Sequence, residues 1–323
     1  MKRILIAVLI FFITISAVSA ENETDLSFSD LQSLIDNSET GEISLTDDYK
    51  FSSADKGAVE ISKSVTVNGN NHTLDGNHAS QILHIDSSGE NKMKVILKDI
   101  IFINGNSKSS GGAVYAGVWN DGRISIVNCI FINNTAGSEG GAVAMLESNI
   151  DGCTFINNTA PMGGAVSQFF STIDHSTFIG NSAEYGGAVF QEGKSVVNNS
   201  KFSYNTAKFS GGAVYQTDLL VYDKPITENS EFDHNSAQYG GAIFSEHGIV
   251  RNCSFENNTA SVEGDDVYEY ADPFMDDVPN ALESDYDHVH AEKFKKETTS
   301  NQTGNPLMLL LAAFAIPILR NRD

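Results

Sequence analysis

Basic residues are scarce. Lys and Arg together number 20 against 42 Asp and Glu in 323 residues, a formal charge of −22. Binding a phosphate backbone needs a basic face, so nucleic acid is excluded as a natural partner. An acidic surface instead keeps a chain soluble and monomeric, and it is able to recruit divalent cations. Cysteine is nearly absent: Cys129, Cys153 and Cys253 are the only three. All three fall at one position of an internal repeat where other copies carry Ser, so the position asks for a small side chain rather than a metal ligand or a nucleophile. Tryptophan occurs once, as Trp119. Apolar residues at the three-and-four spacing of a surface helix are missing from the repeats, which argues against helical repeat units.

What the chain has in abundance is periodicity. Gly-Gly pairs begin at Gly111, Gly140, Gly163, Gly186, Gly211 and Gly240, spaced by 29, 23, 23, 25 and 29 residues. Phenylalanines keep step at Phe102, Phe131, Phe155, Phe178, Phe202, Phe232 and Phe255. A fixed period of this length means a solenoid, and β-branched and aromatic residues alternating with polar ones make its unit a set of short strands. Two residues before each Phe from Phe131 on stands Cys or Ser (Cys129, Cys153, Ser176, Ser200, Ser230, Cys253). Five before stands Ile126, Ile150, Ile173, Val197, Thr227 or Val250. These three columns are predicted to face inward, with turns between them. Three residues after the Phe comes an Asn (Asn134, Asn158, Asn181, Asn205, Asn235, Asn258), suited either to a left-handed turn or to an amide ladder from coil to coil.

The fold expected is therefore all-β: a right-handed, single-stranded parallel β-helix. Earlier coils are read at Val65–Val67, Thr73–Asp75, Ile82–Ile85 and Val95–Leu97, and a short helix over Phe28–Asn37 is expected to close the N-terminal end of the core. Residues 1–20 have the basic start, apolar middle and small-residue end of a secretory signal. The β-helix is assigned to 21–260, with the clear repeats at 96–260. The acidic stretch 261–304 reads as a flexible linker, and the apolar segment with a basic tail at 305–323 as a C-terminal transmembrane anchor. His288 and His290 lie in that linker beside Asp285 and Asp287 and are read as solvated rather than as metal ligands. The localisation implied is secretion to the cell surface, held in the membrane by the C-terminus.

The Gly-Gly-Ala-Val/Ile and Phe-x-x-Asn motifs between Phe102 and Asn258 resemble the repeats of chlamydial polymorphic outer membrane proteins, although the outer-membrane barrel those proteins end with is absent here. Over nearly the whole chain the sequence resembles the adhesin-like surface proteins of methanogenic archaea. The resemblance rests on Val65–Gly76 (Val-Thr-Val-Asn-Gly-Asn-Asn-His-Thr-Leu-Asp-Gly), Ile96–Phe102, the Gly-Gly-Ala repeats and the ending Thr303–Arg322. It implies a β-helical protein that contacts an extracellular protein or glycan and is not an enzyme.

The competing reading is a polysaccharide lyase or hydrolase, which needs a carboxylate pair or a carboxylate-bound Ca²⁺ with a basic residue. The one column with that composition is Asp151, Asp174, Asn198 and Glu228, followed by Arg251. Asp151, Asp174 and Glu228 are thus the candidate Ca²⁺ ligands, against a plain turn role, and no catalytic residue is assigned. His175, at a turn of the same coil as Asp174, reads as a surface residue. Binding is instead sought where the period stretches to 29, at Trp119 and Asp121 in one extra loop and Tyr222 in another, both expected on one edge of the stack about 19 Å apart. Glycan acceptor motifs stand at Asn71, Asn133, Asn157, Asn198, Asn252 and Asn257, and at Asn22 and Asn301 nearer the ends. The recurrence of three of them also suits a turn that favours Asn. Cys129 and Cys153 are close enough in the stack either for a disulfide or for two free thiols.

Overall fold

The computed structural model describes residues 26–86, 93–117, 123–218 and 224–270. Within them the chain winds through parallel sheets in which each strand pairs with its counterpart one turn earlier and one turn later. The first sheet contains the Phe column in ten strands from Leu26–Ser27 to Ser254–Glu256. The second contains the Ile/Val column in nine strands from Glu42–Ser44 to Ile249–Arg251. The third follows the glycine pairs, in nine strands from Val59–Ile61 to Val267–Tyr270. We call these the phenylalanine, isoleucine and valine sheets. Four further strands, from Ser182–Tyr185 to Thr259–Glu263, extend the corner between the phenylalanine and valine sheets.

The expected registers hold. Phe131 lies beside Phe102 and Phe155, Ile150 beside Ile126 and Ile173, and Val166 beside Val143 and Val189. The rings from Phe102 to Phe232 are buried. They stack with centroids 4.7 to 4.8 Å apart and planes within 5°. That is the strand spacing itself, so ring contact and backbone pairing satisfy one geometry. The helix spans Phe28–Asp36 behind an Ser27 N-cap, and it buries Phe28, Leu31 and Ile35 over the first coils. Its capping box, Ser27 with Asp30, satisfies donors at its first turn.

Two polar columns complete the coil. In each turn an Asn accepts from the backbone N–H and the carboxamide of the Asn one coil earlier. Asn158, for example, takes Asn134 N at 2.9 Å and Asn134 Nδ2 at 3.0 Å. The same carboxamide also donates to a Phe carbonyl, as Asn158 does to Phe131 O at 3.1 Å. Asn134 is not itself left-handed: that conformation belongs to the residue before it, Asn133 at φ 56°. The ladder reading of this column is therefore the observed one, with the turn beside it.

The Cys/Ser column works likewise. Ser176 Oγ accepts from Cys153 N at 3.2 Å and donates to Asp174 O at 2.8 Å. Cys153 Sγ accepts from Cys129 N at 3.3 Å, and its thiol points at Asp151 O at 3.4 Å. Cys129, Cys153 and Cys253 are all free. A thiol and a hydroxyl thus make the same two contacts here, which is why the column accepts Ser or Cys alike. Burial pushes the Cys153 thiol well above its ordinary pKa.

The glycine pairs solve a crowding problem. The first glycine of each pair is left-handed, as at Gly163 with φ 61°. A Cβ on the second, such as Gly164, would strike the carbonyl oxygen of Gly187 in the next coil.

Two boundaries differ from the sequence reading. Asp151, Asp174, Asn198 and Glu228 are the last residues of strands, and the turn residue is the next one, left-handed Gly152, His175, Asn199 or Asn229. The solenoid also continues past 260: Thr259–Glu263 and Val267–Tyr270 are strands of the final coil, because they pair in parallel with Ser236–Tyr239 and Ile243–Glu246 of the coil before. The signal at 1–20, the linker beyond 270, the anchor at 305–323 and the loop residues Trp119, Asp121 and Tyr222 lie outside the described residues. Among those described, no helix is long and apolar enough to cross a membrane.

Substituting Asn181 by Ala leaves the Asn158 N–H and one carboxamide proton of Asn158 without their acceptor and takes the side-chain donor from the Phe155 carbonyl, at about 1–3 kcal/mol for each buried group left unpaired. Chemical denaturation should show a loss of at least about 3 kcal/mol for Asn181→Ala and a smaller one for Asn134→Ala, which opens the ladder and, among the described residues, accepts only from Gly105 N. Equal losses at the two positions would mean that the ladder does not carry coil registry.

Candidate functional site

The acidic column on the isoleucine sheet is ordered but occupied. Asp151, Asp174, Asn198, Glu228 and Arg251 follow one another in register. His175 Nδ1 lies 3.2 Å from Asp151 Oδ1 and 3.3 Å from Asp174 Oδ1. Ligating atoms of these three residues lie within 4.8 Å of one another. Yet Asp174 Oδ1 already accepts from His175 N, Asn198 Nδ2 and Asn199 Nδ2. Glu228 is not brought to Asp151 and Asp174. It stands two coils beyond Asp174 and forms an ion pair with Arg251 at 2.6 Å. Calcium takes six to eight oxygens, and this exposed, internally bonded set does not match it.

The second place is the edge of the valine sheet. The two long repeats interrupt it at equivalent points, after Gly117 and after Asp218, on strands separated by four strand spacings. That is about 19 Å, so the two strand ends that flank the insertions lie on one edge of this sheet. Between those points lies Glu192, in register with Phe169 and Thr217.

The outward column of this sheet is aromatic at Tyr115, Phe190, Tyr215, Phe244 and Tyr268, but it breaks at Ala144 and Ser167. Into this break reaches Glu139, whose Oε2 accepts from Ser167 Oγ at 3.3 Å. Burial pushes the Glu139 carboxyl above its usual range. Glu192, 9% exposed, is pushed up to about 8, first by burial and then by the charges of Glu139 and Asp218. Its carboxyl accepts no hydrogen bond among the described residues. Two coils further, Glu246 accepts from Thr217 Oγ1 at 3.0 Å and from Tyr215 Oη at 3.4 Å.

Behind this face, inside the bore, Gln168, Gln191 and Gln216 form a second amide ladder that ends on Ser245. Its first oxygen, Gln168 Oε1, is buried without a partner opposite Met145.

Two families match these coils. A pectate lyase-like adhesive domain matches residues 26–136, and a right handed beta helix region matches residues 115–270. The solenoid is a right-handed parallel β-helix. The two matches together run over the whole of the described span, and they support an adhesin-like or pectate lyase-like protein. No curated protein matches the chain.

Of the glycan acceptor candidates, Asn133, Asn157 and Asn257 occupy the exposed left-handed corner just before the buried ladder Asn. Gly180, Tyr204 and His234 fill the same corner in other coils, so the corner selects for tolerance of that backbone. Asn71 and Asn252 are also exposed and left-handed. Asn198 ends a strand, and its amide donates to Asp174 at 3.2 Å.

The carboxyls Glu139 and Glu192 went unnoticed in the sequence because each sits at a position that varies freely between coils. The available signal was the break in the aromatic column at Ala144 and Ser167. Folding lifts the Glu192 pKa from 4.5 to about 8, so the folded state binds the extra proton. Its stability is then undiminished below pH 4.5 and falls as pH rises to about 8, by up to about 1.4 kcal/mol per unit. Glu192→Gln should therefore match the native protein at pH 4.5 and become progressively more stable than it by pH 8. Parallel stability curves for the two would remove the carboxyl from its buried setting.

Proposed function

We propose that this chain is a non-catalytic, adhesive β-helix that is displayed at a cell surface and contacts an extracellular glycan or protein. The observation that carries this reading is the state of the acidic column. Asp151 and Asp174 are bound to His175 and to neighbouring Asn amides, and Glu228 is neutralised by Arg251. The scaffold's most enzyme-like residues thus serve the corner and one another. The adhesive description of the domain matching residues 26–136 supports the same reading. Secretion by residues 1–20 and anchoring by residues 305–323 belong to this proposal, resting on their apolar and basic patterning.

One observation favours the second reading, a glycan-active enzyme. Glu192 with its pKa near 8 and Glu139 beside it resemble the paired carboxyls, one held protonated, that glycoside hydrolysis uses. Against this stands their burial, which leaves little room for a sugar.

The full-length protein, incubated with neutral and acidic polysaccharides with and without Ca²⁺, should retain some of them while releasing no reducing ends and no unsaturated products. Cleavage that disappears in Glu192→Gln or in Asp174→Ala would replace the adhesive reading by the enzymatic one.

A further inference from the structure

One corner of the stack departs from its own rule. The left-handed residue after the phenylalanine sheet is Asn104, Asn133, Asn157, Gly180 or Asn257 in five coils, but Tyr204 at φ 59° and His234 at φ 54° in the other two. Asn and Gly adopt this conformation readily, whereas a bulky aromatic residue there is a true outlier whose strain the surroundings must hold. Strain of this kind concentrates at functional positions. Of the two, Tyr204 is the outlier, since histidine adopts this conformation readily, as His78, His175 and His247 do elsewhere in the chain, and the repeat itself supplies the unstrained alternative to Tyr204.

The pair is also built to be exposed. Tyr204 is 55% exposed, the most exposed aromatic side chain among the described residues. Its ring stacks on His234 at 4.8 Å and 23°, and His234 is fixed by Asp233 Oδ1, 2.6 Å from its Nδ1. On the opposite side of Tyr204 the preceding coil has Gly180, which presents no side chain. Asn157 Oδ1 lies 2.7 Å from the point where a Gly180 Cβ would stand. One ring face is therefore backed by an imidazole, while the other faces the level of Gly180, toward which the Asn157 carboxamide reaches.

The charges around the corner are committed. Lys201 pairs with Glu231 at 3.0 Å, and Asp233 is held by His234 and by Asn257 Nδ2 at 3.4 Å. The acids Asp233 and Glu256 beside the corner disfavour an anionic ligand.

We propose that the Tyr204 corner is a saccharide subsite for a neutral hexopyranose polymer. The apolar face of one sugar ring lies on Tyr204 above Gly180, and its hydroxyl edge meets the Asn157 carboxamide. A tyrosine ring suits this role because it is rigid, amphipathic and already ordered by its stack on His234. The proposal rests on the adhesive reading above and gives it a ligand class. A protein partner or a polyuronate at this corner would count against it.

The test uses the full-length protein and isothermal titration with soluble neutral β-glucan, galactan and mannan, with polygalacturonate as the charged comparison. At least one neutral polymer should bind, and polygalacturonate should not bind at this corner. Tyr204→Asn installs the residue that the column itself prefers, so the variant should fold and melt at a higher temperature than the native protein while losing about tenfold or more in affinity. Tyr204→Phe should retain both binding and melting temperature. A gain in stability together with a loss of binding is the signature of strain kept for a ligand. Neutral-glycan binding that survives Tyr204→Asn would overturn this site and leave the adhesive reading standing, as would binding of polygalacturonate alone. A lower melting temperature for Tyr204→Asn would make the ring a folding element and overturn the site as well. Failure of the native protein to retain any polysaccharide or protein partner would overturn both.

Discussion

Every coil must meet the next at one strand spacing, and the amide ladder from Asn134 to Asn258 is the contact that imposes this. Each Asn carboxamide takes two donors from the coil before and gives one to a phenylalanine carbonyl, so its position is fixed in three directions at once. A slip of one residue would orphan several buried groups in every coil and turn each strand's apolar side outward. The Phe stack, the Cys/Ser column and the paired glycines all follow from that registry. Rings 4.7 Å apart can touch only if the coils are level, and a second glycine is needed only because the next coil's carbonyl arrives so close.

Because the same constraint acts in every coil, it is written repeatedly, and repetition is what made it readable. The inward columns, the capping helix over Phe28–Asp36 and the early coils near Val65, Thr73, Leu83 and Val95 were all visible as alternation broken by turns. What the repeat could not show was which of two adjacent residues does which job. Asn133 and Asn134 look interchangeable on paper, yet one is an exposed left-handed corner and the other a buried ladder rung. Asp151 and Asp174 read as turn residues but end strands, because the left-handed position lies one residue later. Beyond Ser261 the last coil is mostly exposed and is held by pairing with the coil before it, so its strands to Tyr270 carry no buried column that the sequence could show.

The same logic explains why the site was less legible than the fold. A catalytic or binding group need appear only once, so it leaves no column to align. Glu139, Glu192 and Asp218 come from three different coils and three different repeat positions, and only the winding brings them into one field. Conversely, the column that did look chemical, Asp151 to Arg251, is repetitive because it serves the corner. Its charges meet an imidazole, amides or a guanidinium at each step.

Departures from a repeat are therefore of two physical kinds, and they carry different weight. An added stretch of chain, as after Gly117 or Asp218, adds length where the coil already ends a strand, and the loop-closure entropy grows only slowly with its length. Such insertions persist easily and mark an edge without specifying what is done there. A residue that goes against its surroundings, in backbone conformation or in burying a carboxyl, is different, because the unstrained alternative is one substitution away and stability favours it. Glu192, buried beside two other carboxyls, and Tyr204, held left-handed and exposed, are both of this second kind. Burial leaves Glu192 turned toward the protein's own groups, whereas Tyr204 turns its strained ring to solvent. Of the two, Tyr204 is the one placed to meet another molecule.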